Sequence, residues 1–168
     1  MKRLRVLILA LVALLSLVGV AVAANNNYVA HLTGANEVPA RDTLAQGQAT
    51  FQLSKDGTEL HYRLNVANIN NVVQAHIHLG PPGVNGPIVA FLYGPVAAGG
   101  GRTDGVLAEG TITAANLIGP LAGHPLSDLV AALESGNAYA NVHTNDGVDG
   151  VNTGPGDFPG GEIRGPSR

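Results

Sequence analysis

The sequence predicts an all-β fold: an antiparallel Greek-key β-sandwich or barrel of about eight strands with one short helix. Three observations predict it. Short runs of alternating apolar and polar residues recur roughly every ten positions. Glycine and proline, 23 and 10 of the 168 residues, fall mostly between these runs and punctuate them. No long stretch carries the 3.6-residue apolar period of an extended helix.

The first residues are set apart from that pattern. Lys2, Arg3 and Arg5 precede an almost unbroken apolar run from Val6 to Val22, and Ala21-Val22-Ala23 closes it with small residues at alternate positions. This is the pattern of a secretory signal peptide over 1–23. The alternative, an uncleaved anchor, needs about 20 apolar residues, and Ser16 and Gly19 interrupt this shorter run. The expectation is a chain exported to the periplasm or the exterior, with residues 24–168 as one domain and no membrane attachment after cleavage. Beyond the leader, six Lys and Arg face twelve Asp and Glu, a net charge of about −6. No basic cluster is present, which argues against nucleic acid as a partner. The chain has no cysteine. Any metal site must therefore use imidazole, carboxylate or backbone oxygen.

Strands are expected at 27–34, 46–54, 58–67, 73–79, 87–93, 106–112, 137–143 and 161–165. A helix is expected at 127–135. Ser127 would cap it, Leu126 would staple it, Leu129, Val130 and Leu133 would give it an apolar face, and Gly136 would stop it. A further helical turn could follow Thr113. The segment 94–105 reads as a flexible linker and 145–160 as a long irregular loop.

Alternation assigns the faces, because strand side chains have period two. In 58–67, Leu60, Tyr62, Leu64 and Val66 share the core side, opposite Glu59, His61, Arg63 and Asn65. In 73–79, Val73, Ala75, Ile77 and Leu79 point inward, and Gln74, His76 and His78 point outward. In 137–143, Ala138, Ala140 and Val142 point inward, while Asn137, Tyr139, Asn141 and His143 point outward. Ile163 points inward between outward Glu162 and Arg164. Three strands thus place coordinating groups on their non-core side.

Four blocks carry a family resemblance. They are L-T-G-A-N-E-V-P at Leu32–Pro39, Q-A-H-I-H-L-G from Gln74 continuing through P-P-G-V-N-G-P-I-V, G-N-A-Y-A-N-V-H-T at Gly136–Thr144, and G-E-I-R-G at Gly161–Gly165. In this order they resemble the CHRD domain, named for chordin and common in exported bacterial proteins. The resemblance covers about 28 to 165. It implies a β-sandwich, immunoglobulin-like or superoxide-dismutase-like, and leaves activity largely unassigned. The chain departs from the family pattern in one place: residues 145–160 separate the H-T block from G-E-I-R-G. Antiparallel neighbours joined by that loop would still bring His143 and Arg164 close.

His76 and His78, two apart on one strand, sit about 6.5 to 7 Å apart at Cα. Their rings can converge on one ion at about 2.0–2.1 Å. His143 is the natural third ligand from another strand. Three imidazoles with an open position suit copper or zinc. The set is similar to the copper site of copper–zinc superoxide dismutases, which implies anion guidance by Arg164. His61 is a possible fourth ligand if its strand forms a hairpin with 73–79, and otherwise a solvent-exposed histidine. Glu37 and Glu162 are candidates for carboxylates that support the site, Glu37 by orienting an imidazole. Glu37 could equally be a turn residue, and Glu162 with Arg164 a plain cross-strand ion pair. In the long loop, Asp146, Asp149, Asn152 and Asp157 offer oxygen for calcium, but they lack the ligand order of an EF-hand, so a turn is expected there. The competing reading of the whole chain is a non-catalytic module that binds an extracytoplasmic protein or glycan. A third is a structural domain with a hydrogen-bonded histidine cluster. Convergence of the three imidazoles to about 4 Å would favour the metal site.

Overall fold

In the computed structural model, residues 26–148 and 153–167 are described. The leader expected over 1–23 and the loop residues Asp149 and Asn152 lie outside them. Eight strands form: β1 (Asn27–Thr33), β2 (Gln46–Leu53), β3 (Leu60–Asn70), β4 (Val72–Leu79), β5 (Ile88–Tyr93), β6 (Arg102–Ile112), β7 (Ala138–Thr144) and β8 (Ile163–Pro166). They pair in the order β5-β4-β7-β8-β1-β2-β3-β6, antiparallel throughout. The two end strands curl towards each other. The Tyr62 hydroxyl on β3 donates to the Leu92 carbonyl on β5 at 2.8 Å, and Ile118 N–H donates to the Val89 carbonyl at 2.9 Å. The result is a nearly closed barrel, the all-β class expected.

The inward faces follow the alternation. Leu60, Leu64, Ala75, Ile77, Ala138, Val142 and Ile163 are all fully buried in one core. Helix α1 (Leu126–Glu134) closes it with Leu126, Leu129, Val130 and Leu133. Its N-cap is Pro125, and no side chain caps it, so the expected cap by Ser127 does not form. The turn after Thr113 does form, with a reciprocal Thr113–Asn116 capping box.

Two expectations are corrected by register. Val73 is only half-buried, and Val72 takes the inward place, because the β4–β7 pairing slips between Val72 and Gln74. β6 also starts inside the expected linker. Arg102 bonds Asp104 beside it and the Asn68 carboxamide on the facing β3, which draws 102–105 into the sheet.

β8 is short but central. Thr33 pairs with Arg164, so β8 joins the β1 half of the barrel to the β7 half. A Cβ at Gly165 would meet the His31 carbonyl oxygen at 2.3 Å. Glycine is required there for the backbones of β1 and β8 to approach.

Candidate metal centre

β4 and β7 are neighbours, with His76 opposite Asn141, His78 opposite Tyr139 and Gln74 opposite His143. Arg164 lies opposite Asn141 on the far side. Period two therefore gathers His76, His78, Tyr139, Asn141, His143 and Arg164 on one outer face, as expected. The face is not a surface. His76 is 0%, His78 8% and His143 7% exposed. Three elements bury it. Phe91 of β5 sets its ring edge-on to His76 at 4.6 Å. The 80–87 turn covers His78, and the segment ending at Gly161 covers His143. The outward placement holds, but outward is not exposed: strand alternation reports which side of a sheet a residue faces, not what lies on that side.

Each ring is set by what it touches. His78 Nδ1 donates to the Gly86 carbonyl at 2.9 Å, and His143 Nδ1 donates to the Pro159 carbonyl at 2.8 Å. A carbonyl only accepts, so both Nδ1 atoms hold the proton and both Nε2 atoms are left with a lone pair. His143 Nε2 lies 3.2 Å from His76 Nδ1. The Nε2 atoms of His76 and His78 are buried with no hydrogen-bond partner among the described residues. One ligating atom from each ring falls within 4.8 Å of the others, a looser convergence than the expected distance of about 4 Å. Metal–nitrogen bonds of about 2.0–2.1 Å in a tetrahedron put ligands about 3.3 Å apart, a spacing that His76 Nδ1 and His143 Nε2 match at 3.2 Å once the hydrogen bond between them gives up its proton. The triad could hold a metal ion.

Electrostatics point the same way. Desolvation lowers the His76 pKa to about 3, with the neighbouring His143 and His78 adding to it. Desolvation lowers His143 to about 4, against the Pro159 hydrogen bond. It also lowers His78, against the Gly86 hydrogen bond. All three rings are neutral at pH 7, the state a metal requires.

In the unfolded chain these rings take protons near pH 6.5. The unfolded state then binds more protons than the folded one, so the metal-free fold loses stability as pH falls from about 6.5 towards 4. Glu37 works oppositely between about 4.5 and 7, because its folded pKa is raised, and it offsets about one of the three histidines. Urea melts of metal-free protein are expected to show a midpoint falling steadily from pH 6.5 to 4. A flat midpoint over that range would refute the neutral, buried triad.

The remaining candidates separate. His61 stays apart: β3 is four strands from β7 in the pairing order. Its ring is half-exposed, bonded to Thr111 Oγ1 at 2.9 Å and lying 3.5 Å from the Glu59 carboxylate. The short 67–72 connection does not make a hairpin. Asn68 and Asn71 both adopt left-handed backbone conformations, at φ 56° and 54°. The chain turns sharply there and leaves β3 for the other half of the barrel. His61→Ala is expected to leave metal affinity within twofold and stability within about 0.5 kcal/mol, checked by titration and melting.

Arg164 is 2% exposed. Its guanidinium stacks on the Tyr139 ring at 3.5 Å and donates to Asn85 Oδ1 and to the carbonyls of Val84 and Pro81. Tyr139 stacks in turn on His78 at 4.9 Å. The expected anion guide is instead a buried clamp on the 80–87 turn.

Glu162 makes no ion pair with it. It accepts from Thr43 Oγ1, Thr144 Oγ1 and Gly156 N–H, and Thr144 Oγ1 accepts from Phe158 N–H. It therefore holds the segment that carries the Pro159 carbonyl. Glu37 accepts from Asn141 Nδ2 rather than from an imidazole. Burial pushes its carboxyl up to about 7 against Asn141, Arg164 and Arg41. In the long loop, Asp157 accepts from Thr153 and Asp146 from Val148 N–H, both as turn residues.

Sequence reasoning placed Tyr139 and Asn141 on the right face without giving them a role. The carbonyls of Gly86 and Pro159 and the ring of Phe91 carried no signal a sequence reader could use.

The fold and the site define a small antiparallel β-barrel domain whose loops close over three convergent histidines. A family model for the CHRD domain matches residues 28–166, and the chain belongs to that family. No curated protein matches it significantly.

Proposed function

We propose that this is an exported CHRD-domain protein that binds one copper or zinc ion through His76, His78 and His143. The observation that carries the reading is the convergence of three buried imidazoles, one ligating nitrogen from each lying within 4.8 Å of the others, with His78 Nε2 left without a partner among the described residues. Burying a polar atom unpaired costs roughly 1–3 kcal/mol, and an ion would remove that cost. Two backbone carbonyls fix the tautomers that aim Nε2 inward. The protein or glycan module finds less support, since convergent neutral imidazoles serve no purpose in it. Export is supported by the basic and apolar leader. No helix among the described residues is long and apolar enough to cross a membrane.

Metal analysis of untagged protein, followed by calorimetric titration with Cu(II) and Zn(II), tests the reading. One equivalent is expected, with copper tighter by the general affinity order. Absence of saturable binding by either ion would end it. Bound copper would supply one-electron chemistry. The superoxide-dismutase version lacks its steering cation at Arg164, which is committed to the 80–87 turn. It requires the copper-loaded protein to remove superoxide faster than the same concentration of free copper.

A further inference from the structure

A pocket of about 190 Å³ opens beside the histidine triad, lined by Glu37, His78, Asn85, Tyr139, Asn141 and Gly160. That is room for about six water-sized groups. Its walls are a built polar site. Glu37 is 6% and Asn141 3% exposed, and Asn141 Nδ2 is committed to Glu37 and to the Ile163 carbonyl. Gly161 leaves the space behind these two groups open, since a Cβ there would lie 2.7 Å from Glu37 Oε1 and 2.8 Å from Asn141 Nδ2.

A cation stands next to one of the lining residues. Arg41 uses Nε on the Gly161 carbonyl at 3.3 Å and lies over the Phe158 ring at 4.8 Å. Its Nη2 would stand 3.6 Å from a Cβ on Gly160, a lining residue. The two terminal nitrogens of Arg41 are bonded to nothing described, which leaves a fork that fits a carboxylate.

We infer that this pocket is a binding site for a small monocarboxylate, of the size of acetate to lactate, held by Arg41 at the mouth and by Glu37 within. The inference rests on the metal reading, because an ion on the triad supplies the remaining attraction for an anion. A second carboxylate wall would repel such a ligand if charged. The raised pKa of Glu37 supports the assignment, since the group then holds a proton near neutrality and can donate it. The groups facing Glu37 are Arg41 from its own loop, Asn141 from β7 and Arg164 from β8, with His78 of β4 across the pocket.

The test uses purified protein loaded with zinc, its zinc content measured first. Sodium acetate is titrated in, with sodium chloride as control, and the Asn141 side-chain amide is followed by NMR. Saturable acetate-specific shifts are expected. Arg41→Met is expected to weaken them at least fivefold at unchanged zinc content, and Glu37→Leu likewise, while Glu37→Gln retains binding because it keeps a neutral donor. Should Arg41→Met fail to fold, Arg41→Lys replaces it and is expected to weaken binding through loss of the planar fork. Full zinc content with shifts linear in acetate, or matched by chloride, overturns the inference and leaves the metal site standing. Wild-type protein that retains no zinc overturns both.

Discussion

His143→Ala is expected to abolish the metal-dependent stabilisation of the protein. At a free ion concentration of one hundred times Kd, wild type gains about 2.7 kcal/mol from binding. For a domain of this length that raises Tm by about 10 °C. His143 contributes the one Nε2 that stands within 3.2 Å of another ring, and a two-imidazole remnant should bind about a hundredfold more weakly or worse. The variant also leaves the Pro159 carbonyl without its donor and opens a small cavity, so its metal-free Tm will fall. The decisive quantity is therefore the difference in Tm with and without ion, which is insensitive to that loss. A cluster that serves only as a structural hydrogen-bond network predicts no difference in either protein. Equal shifts in wild type and variant would place the ion elsewhere.

Much of this site was legible in the sequence. Period two alone put His76 and His78 on one side of β4 and His143 on the same side of β7, and their strands are paired neighbours. The long loop after β7 did not disturb that, because β7 and β8 pair directly and bring Asn141 opposite Arg164. What failed was reading non-local cover from local pattern. Nothing in Q-A-H-I-H says that the 80–87 turn folds back, or that Asn85 Nδ2 ties it to the Val38 carbonyl at 2.8 Å. The same limit explains His61. A short link between strands favours a hairpin, but β3 already pairs with β2 on one edge and β6 on the other. Two left-handed asparagines then send the chain across the barrel. Buried Glu162 and Arg164 looked like a surface ion pair for a related reason. Their hydrogen-bond partners sit in loops whose positions only the closed barrel defines.

Arg164→Leu is expected to cost about 3 kcal/mol and to weaken metal binding by about ten- to a hundredfold, although the side chain reaches no ligating atom. The stability loss follows from burial. The substitution leaves two backbone carbonyls and Asn85 Oδ1 without a charged donor in the covered interior, each worth roughly 1.5–3 kcal/mol before relaxation. It also removes the cation from the Tyr139 face. The metal effect follows from connection. Val84, Asn85 and Gly86 are consecutive, and the Gly86 carbonyl is what holds His78 Nδ1–H. A loosened turn frees that ring to rotate and to change tautomer, and outer hydrogen bonds of this kind typically govern affinity by such factors. Tyr139, stacked between Arg164 and His78 and accepting from Gly86 N–H, gives a second route for the same disturbance. Arg164→Lys should rescue little, because one ammonium cannot serve three acceptors and a ring face at once. Three measurements separate the possibilities: the urea midpoint, the metal Kd, and the His78 ring resonances that report its tautomer. Lower stability with unchanged Kd and unchanged His78 would reduce Arg164 to a purely structural clamp. An anion-steering guanidinium would leave all three alone and change only the salt dependence of a reaction with an anion, so a variant as stable and as tight as wild type would restore that role.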